Sequence, residues 1–141
     1  TTLFRSENER WSLDGTTIYF DWNPNKEWGN STYFWKKGMK VPQKASKEEA
    51  KFSKFKFIEK EGTGIYYYMD KGQIFSYSIN NKRVKKIYQN NSPVSNLQVG
   101  KEDGVVFFKQ SDNIFKFDTK LGSLVQLTNF KKGKSEEKPK L

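Results

Sequence analysis

Trp11-Ser12-Leu13-Asp14-Gly15-Thr16-Thr17-Ile18-Tyr19-Phe20 sets an aromatic residue before an Asp-Gly turn and a β-branched, aromatic segment after it. Asp and Gly are the residues a tight reversal of the chain needs, and Ile, Tyr and Phe favour a pleated surface, so the stretch reads as a hairpin. The same order of features recurs twice. In the first copy the hairpin continues through Thr32-Tyr33-Phe34-Trp35 to Met39-Lys40-Val41. The second runs from Phe55-Lys56-Phe57 over Gly62-Thr63-Gly64 to Ile65 through Tyr68, Ile74-Phe75-Ser76-Tyr77 and Arg83-Val84-Lys85-Lys86-Ile87. The third is the cleanest: Leu97-Gln98-Val99, Asp103-Gly104, Val105 through Phe108, Ile114-Phe115-Lys116-Phe117 and Leu124-Val125-Gln126-Leu127.

Aligned on Ile18, Ile65 and Val105, the copies start 47 and then 40 residues apart. An insertion from Asn23 to Ser31 and a link from Ala45 to Ser53 account for the longer first interval. A period near 40 with four short strands per copy is the pattern of a β-propeller blade. Helical repeats fit poorly, because apolar residues alternate with polar ones in Phe55-Lys56-Phe57 and Phe115-Lys116-Phe117. Only Ser46 to Lys51 is locally helical in composition; it reads as one helical turn or a plain loop, and the loop is favoured. The expected class is all-β, about three four-stranded antiparallel blades of a propeller that is partial or part of a larger one. The expected divisions are a lead-in strand or linker over 1–9, blades over 10–44, 54–91 and 92–130, an interblade link over 45–53, and a charged tail or linker over 131–141.

Hydrophobic residues are 34% of the chain and aromatics alone 16%, so rings must supply much of the burial. No run approaches the roughly 20 apolar residues of a membrane-spanning helix. The sequence opens on Thr1-Thr2-Leu3 without a charged-then-apolar leader, so a signal peptide is expected to be absent or removed. Zero Cys excludes disulfides and thiolate metal sites and is compatible with cytoplasm or periplasm alike.

A net charge of +10 invites a nucleic-acid reading. Against it, Arg occurs only at Arg5, Arg10 and Arg83, and the lysines are spread through every copy. Base edges are read best by bidentate Arg, whereas dispersed Lys suits a solvated face and guards sheet edges against pairing. Aromatics in a period-two register belong to a core before they belong to a base-stacking surface.

With no His in the chain, no Ser-His-Asp triad, His base or His-bearing zinc site can be completed. There is no Gly-x-Ser-x-Gly elbow and no phosphate-binding glycine loop. No cofactor, metal or catalytic residue is therefore expected. Glu48-Glu49 and Glu136-Glu137 lie in Lys-rich stretches with nothing apolar to raise a carboxyl pKa, and are read as solvated charges. Asp14, Asp103 and Asp118 recur at turns, where Asx hydrogen bonding is their expected role. Asn30-Ser31-Thr32 and Asn90-Asn91-Ser92 match the glycosylation pattern, as an Asn-rich chain does by chance. Trp22, Trp28 and Trp35 gather around the insertion of the first copy. Trp35, in strand register, is expected to be buried; Trp28, in a loop, is the candidate partner contact, against the equal alternative that it folds back over the blade edge.

Trp11-Ser12-Leu13-Asp14-Gly15 resembles the Trp-Ser-Pro-Asp-Gly blade opening of TolB-like and WD-like propellers, with Leu13 in place of Pro. Asn113 to Thr128 resembles the close of such a blade. The continuation Asn129-Phe130-Lys131-Lys132-Gly133 with its Lys/Glu-rich tail is similar to the first part of the propeller in bacterial dipeptidyl-peptidase IV-like enzymes of the prolyl oligopeptidase family. That resemblance implies a non-catalytic propeller segment that gates and scaffolds peptide access to an α/β-hydrolase domain, in the periplasm or secreted. None of that family's catalytic Ser, Asp and His maps onto this chain, and its substrate-binding glutamate pair finds no match, Glu48-Glu49 lacking the aromatic context. The alternative is a TolB- or WD-type module that binds a protein or ligand. Three blades leave an open arc, so the expected partners are further blades and a hydrolase domain of a parent chain, or a second copy that completes six blades.

Overall fold

The computed structural model describes residues 5–26 and 28–130. It is all-β: three four-stranded antiparallel sheets, each built from strands consecutive in the chain, as in the blades of a propeller. The first sheet has the order β1 (Glu7–Trp11), β2 (Thr17–Trp22), β3 (Ser31–Lys36), β4 (Gln43–Lys44). Helix α1 (Lys47–Ser53) follows. The second sheet holds β5 (Ile58–Lys60), β6 (Ile65–Asp70), β7 (Gln73–Ser78) and β8 (Arg83–Tyr88). The third holds β9 (Val94–Val99), β10 (Val105–Gln110), β11 (Asn113–Asp118) and β12 (Ser123–Gln126). The chain divides into two compact units, Thr1–Phe55 and Lys56–Leu141. Among the described residues no helix is long and apolar enough to cross a membrane.

In each blade the second and third strands pair over six residues, and their ends fix the true repeat register. Thr17 pairs with Lys36, Ile65 with Ser78 and Val105 with Asp118. The copies thus align on Thr17, Ile65 and Val105, and the alignment on Ile18 is off by one residue. A one-residue slip exchanges the two faces of a strand, so the correction decides which side chains are equivalent. The face carrying Thr17, Tyr19 and Asp21 in β2 is called here the forward face, and that carrying Ile18, Phe20 and Trp22 the rear face. A shared irregularity supports this alignment. Strand β1 bulges between Glu7 and Arg10, β9 bulges opposite Phe107 and Lys109, and the equivalent residues Asn8 and Asn96 adopt φ of 55° and 52°. Asn tolerates the left-handed region better than most side chains.

The forward face of the second sheet packs on the rear face of the third. Tyr67 and Ile74 from one side meet Val106, Phe108 and Phe117 from the other, with Ile58, Ile65, Met69 and Phe115 around them. The Tyr88 ring lies 4.8 Å from that of Phe108 and 5.3 Å from that of Phe117. Its hydroxyl donates to Gln110 Oε1 at 3.1 Å, while Gln110 Nε2 donates to the Ser92 carbonyl at 2.6 Å, so the polar atoms at this seam are paired.

Three local expectations fail for local reasons. The Ser46 stretch is a helix and not a loop: Glu49 N–H donates to Ser46 Oγ at 3.1 Å and Ser46 N–H to Glu49 Oε1 at 3.4 Å. This reciprocal capping box satisfies orphan donors at the helix start and was legible as Ser-x-x-Glu. The closing strand of the first blade is Gln43–Lys44 and not Met39-Lys40-Val41. Gly38, at φ 97°, and a bond from Met39 N–H to the Lys36 carbonyl turn the chain there, and Pro42, lacking an N–H, delays pairing. The second blade opens with Ile58–Lys60 and not Phe55-Lys56-Phe57. Phe55 still belongs to the helix end, its N–H bonded to the Phe52 carbonyl at 3.3 Å.

The β6–β7 turn has two residues, Lys71 and Gly72, both at positive φ, as a tight hairpin with the right twist demands. Gly72 also leaves no room for a side chain, because a Cβ there would overlap Pro93, lying 2.9 Å from its Cα. Gly72→Ala is expected to lower the unfolding free energy by about 2 kcal/mol, combining left-handed strain with displacement of the β9 entry. A fall in the urea midpoint with an unchanged slope is the readout; an unshifted midpoint would refute it.

Candidate functional site

A cluster of polar and charged side chains gathers on the forward face of the first sheet. Asp21 in β2 stands opposite Thr32 in β3, and Thr32 Oγ1 donates to Asp21 Oδ1 at 3.0 Å. The β1 bulge turns Asn8 inward, so that its Nδ2 donates to Asp21 Oδ2 at 2.9 Å. Arg10 Nη2 reaches Asp21 Oδ1 at 3.3 Å, and Lys54 Nζ lies 4.0 Å from the same oxygen. Arg10 in turn donates to Ser53 Oγ through Nε at 3.1 Å and Nη2 at 3.0 Å, tying the sheet to the end of α1. Burial pushes the Asp21 pKa up, but the hydrogen bonds from Asn8 and Thr32 and the charges of Arg10 and Lys54 outweigh it and hold the carboxyl below the usual aspartate range. An acid of this kind is a poor proton donor near neutral pH, and its oxygens are already occupied. The cluster is a polar clasp that the sequence reading missed. Its legible signal was a carboxylate at an inward strand position, flanked by Phe20 and Trp22.

Elsewhere the predicted turn acids act on backbone. Asp14 Oδ1 accepts from the Thr16 N–H at 3.0 Å and from the hydroxyls of Ser12 and Thr16. Asp118 Oδ1 accepts from the N–H groups of Lys120 and Leu121. Asp103 instead forms an exposed ion pair with Lys120 at 2.7 Å. Glu48 and Glu49 sit in the first turn of α1, and Glu49 belongs to its cap; Glu136-Glu137 lies outside the described residues. Burial raises the pKa of Tyr67 and Tyr68, keeping both phenols protonated and un-nucleophilic. Among the described residues no group of three His, Cys, Asp or Glu is placed to hold a metal ion, and no buried side-chain N or O atom lacks a hydrogen-bond partner.

No family model matches this chain, and no curated protein does. The site therefore rests on its own geometry.

Trp28, the candidate partner contact, is fully exposed at 103% on the loop between β2 and β3. Gly29 beside it is at φ 79°, and the Lys26 N–H bonds to the Asn23 carbonyl at 3.3 Å, closing the turn that leads to it. Trp22 ends β2 near this loop. Trp35 does not join them: β3 carries it to the far end of the hairpin opposite Ile18, about 13 Å along the strand from Ser31. It is also not buried, with 37% of its surface accessible. Its Nε1 donates to the Met39 carbonyl at 2.9 Å, so the indole lies across the β3–β4 turn.

Proposed function

We propose that this chain is a non-catalytic propeller segment that works by presenting blades for binding and scaffolding. The observation that carries the reading is the fate of its ionisable groups. Among the described residues the one buried carboxylate, Asp21, spends its oxygens on Asn8, Thr32 and Arg10, and the turn acids Asp14 and Asp118 spend theirs on local backbone. Side chains committed in this way build a frame.

The narrower reading follows the resemblance of Trp11 to Gly15 and of Asn113 to Gly133. In it the segment belongs to a dipeptidyl-peptidase IV-like serine exopeptidase of the periplasm or cell exterior, where it gates peptide access to a hydrolase domain outside these residues. The exposed Trp28 loop favours a second reading, a TolB- or WD-type module that docks a protein. The mass and peptide map of the natively expressed product separate the two. A longer product with a Gly-x-Ser-x-Gly hydrolase domain that cleaves dipeptidyl amide substrates supports the gate; further blades without such a domain, or cleavage by the 141-residue chain alone, overturn it.

A further inference from the structure

The corrected register shows that two sheet faces of this chain lack the cover that their equivalents enjoy. On the rear face of the first sheet, Trp11, Ile18 and Trp35 form one cross-strand row and Phe20 with Tyr33 the next. The repeat-equivalent positions in the third sheet are Val99, Val106 and Phe117, then Phe108 and Phe115, the residues packed on the second sheet. There Val106 is 0% and Phe108 1% exposed, whereas their equivalents Ile18 and Phe20 are only half-buried, and Trp11 is 64% exposed where its equivalent Val99 is half-buried. Among the described residues the first unit contains no buried hydrophobic side chain; its buried residues are Asp21 and Thr32.

The complementary surface is the forward face of the third sheet. Its rows are Gln98, Phe107, Lys116 and Val125, then Ser95, Lys109 and Ile114. Ile114 is 39% exposed, yet its equivalent in the second sheet, Ile74, is 0% exposed beneath the third. The two uncovered faces also depart from the covered pair in matching ways. Lys116 and Lys109 stand where the second sheet has Ser76 and Met69. Trp11, Trp22 and Trp35 stand where the third has Val99, Gln110 and Phe117. Ammonium groups and indole faces attract each other, and the molecule already uses the contact where Lys86 Nζ lies 5.9 Å from the Phe75 ring centre.

We propose that the forward face of the third sheet of one chain docks on the rear face of the first sheet of a second copy. The contact repeats the packing of the second sheet on the third, with Lys109 and Lys116 laid against the tryptophans. Because the two surfaces differ, association is head-to-tail and closes into a ring or extends as a series. This rests on the blade reading of the Proposed function, but not on any peptidase.

Sedimentation velocity of the 141-residue chain over a wide concentration range tests it. Self-association is expected, and Trp35→Glu and Val125→Glu should each weaken it at least about tenfold. The decisive step mixes the two variants. Each keeps the surface the other lacks, so a one-to-one heterodimer is expected from a head-to-tail contact. A chain that stays monomeric, or variants that fail to pair when mixed, overturns the proposal, since a self-complementary or unspecific contact gives no rescue. Trp11→Glu and Leu127→Glu, at positions 64% and 50% exposed, replace either variant that circular dichroism shows to be unfolded. A monomeric result would leave the non-catalytic reading standing, because that reading is tested by peptide cleavage.

Discussion

Phe108→Ala is expected to cost about 3–5 kcal/mol, the largest single effect in the molecule, by the usual penalty for emptying a buried aromatic site. Phe108 is 1% exposed and central to the packing of the second sheet on the third. Its ring stacks on Phe115 at 5.8 Å with a 13° interplanar angle and meets Tyr88 at 4.8 Å. The cavity would open between two sheets held by cross-strand hydrogen bonds, which cannot collapse inward without breaking their ladders, so little of the loss is recovered. Urea unfolding followed by far-ultraviolet circular dichroism measures it. Ile114→Ala is the control, since Ile114 is 39% exposed at a core-like sequence position and should cost well under half as much. Equal losses at the two sites would contradict the assignment of covered and uncovered faces.

Asp21→Asn is expected to destabilise the first unit by about 3 kcal/mol, the scale for removing one partner of a poorly solvated ion pair. It leaves Arg10, with only 17% of its side chain accessible, without its counter-charge. It also sets an amide donor against the Asn8 and Thr32 donors that now feed the carboxylate. All four tryptophans, Trp11, Trp22, Trp28 and Trp35, lie in this unit, so tryptophan fluorescence reports its unfolding. The same clasp predicts a pH dependence. The folded carboxyl titrates below its unfolded counterpart, because hydrogen bonds and two cations outweigh the cost of burial. Its contribution is therefore fully present above the unfolded value of about 4 and is lost as the pH falls below that through the folded value. Wild-type stability should fall in this acid range by more than that of Asp21→Asn. Parallel acid profiles for the two proteins would remove Asp21 from the account.

Local chemistry made the strands and turns readable. Alternating apolar residues and Asp-Gly or Gly-rich reversals recur in all three copies, and the third sheet follows Val105 to Phe108 and Ile114 to Phe117 closely. Helix α1 was written in Ser46 and Glu49 but set below a loop, because a seven-residue helix leaves a weak periodic signal. The exposed position of Trp28 accords with its Gly-flanked loop. The Asp21 clasp was harder to see: Asn8, Arg10, Thr32, Ser53 and Lys54 are far apart in the chain, and only a bulged β1 and a capped helix bring them to one carboxylate.

By itself the sequence determined that this protein is made of repeated four-stranded antiparallel sheets, since strand period and turn composition are properties of neighbouring residues. The tertiary structure decided which face of each sheet is covered. Alternation announces two faces without saying what lies across either. Ile74 and Ile114 occupy the same place in their repeats, and one is sealed while the other is open because burial depends on the sheet opposite.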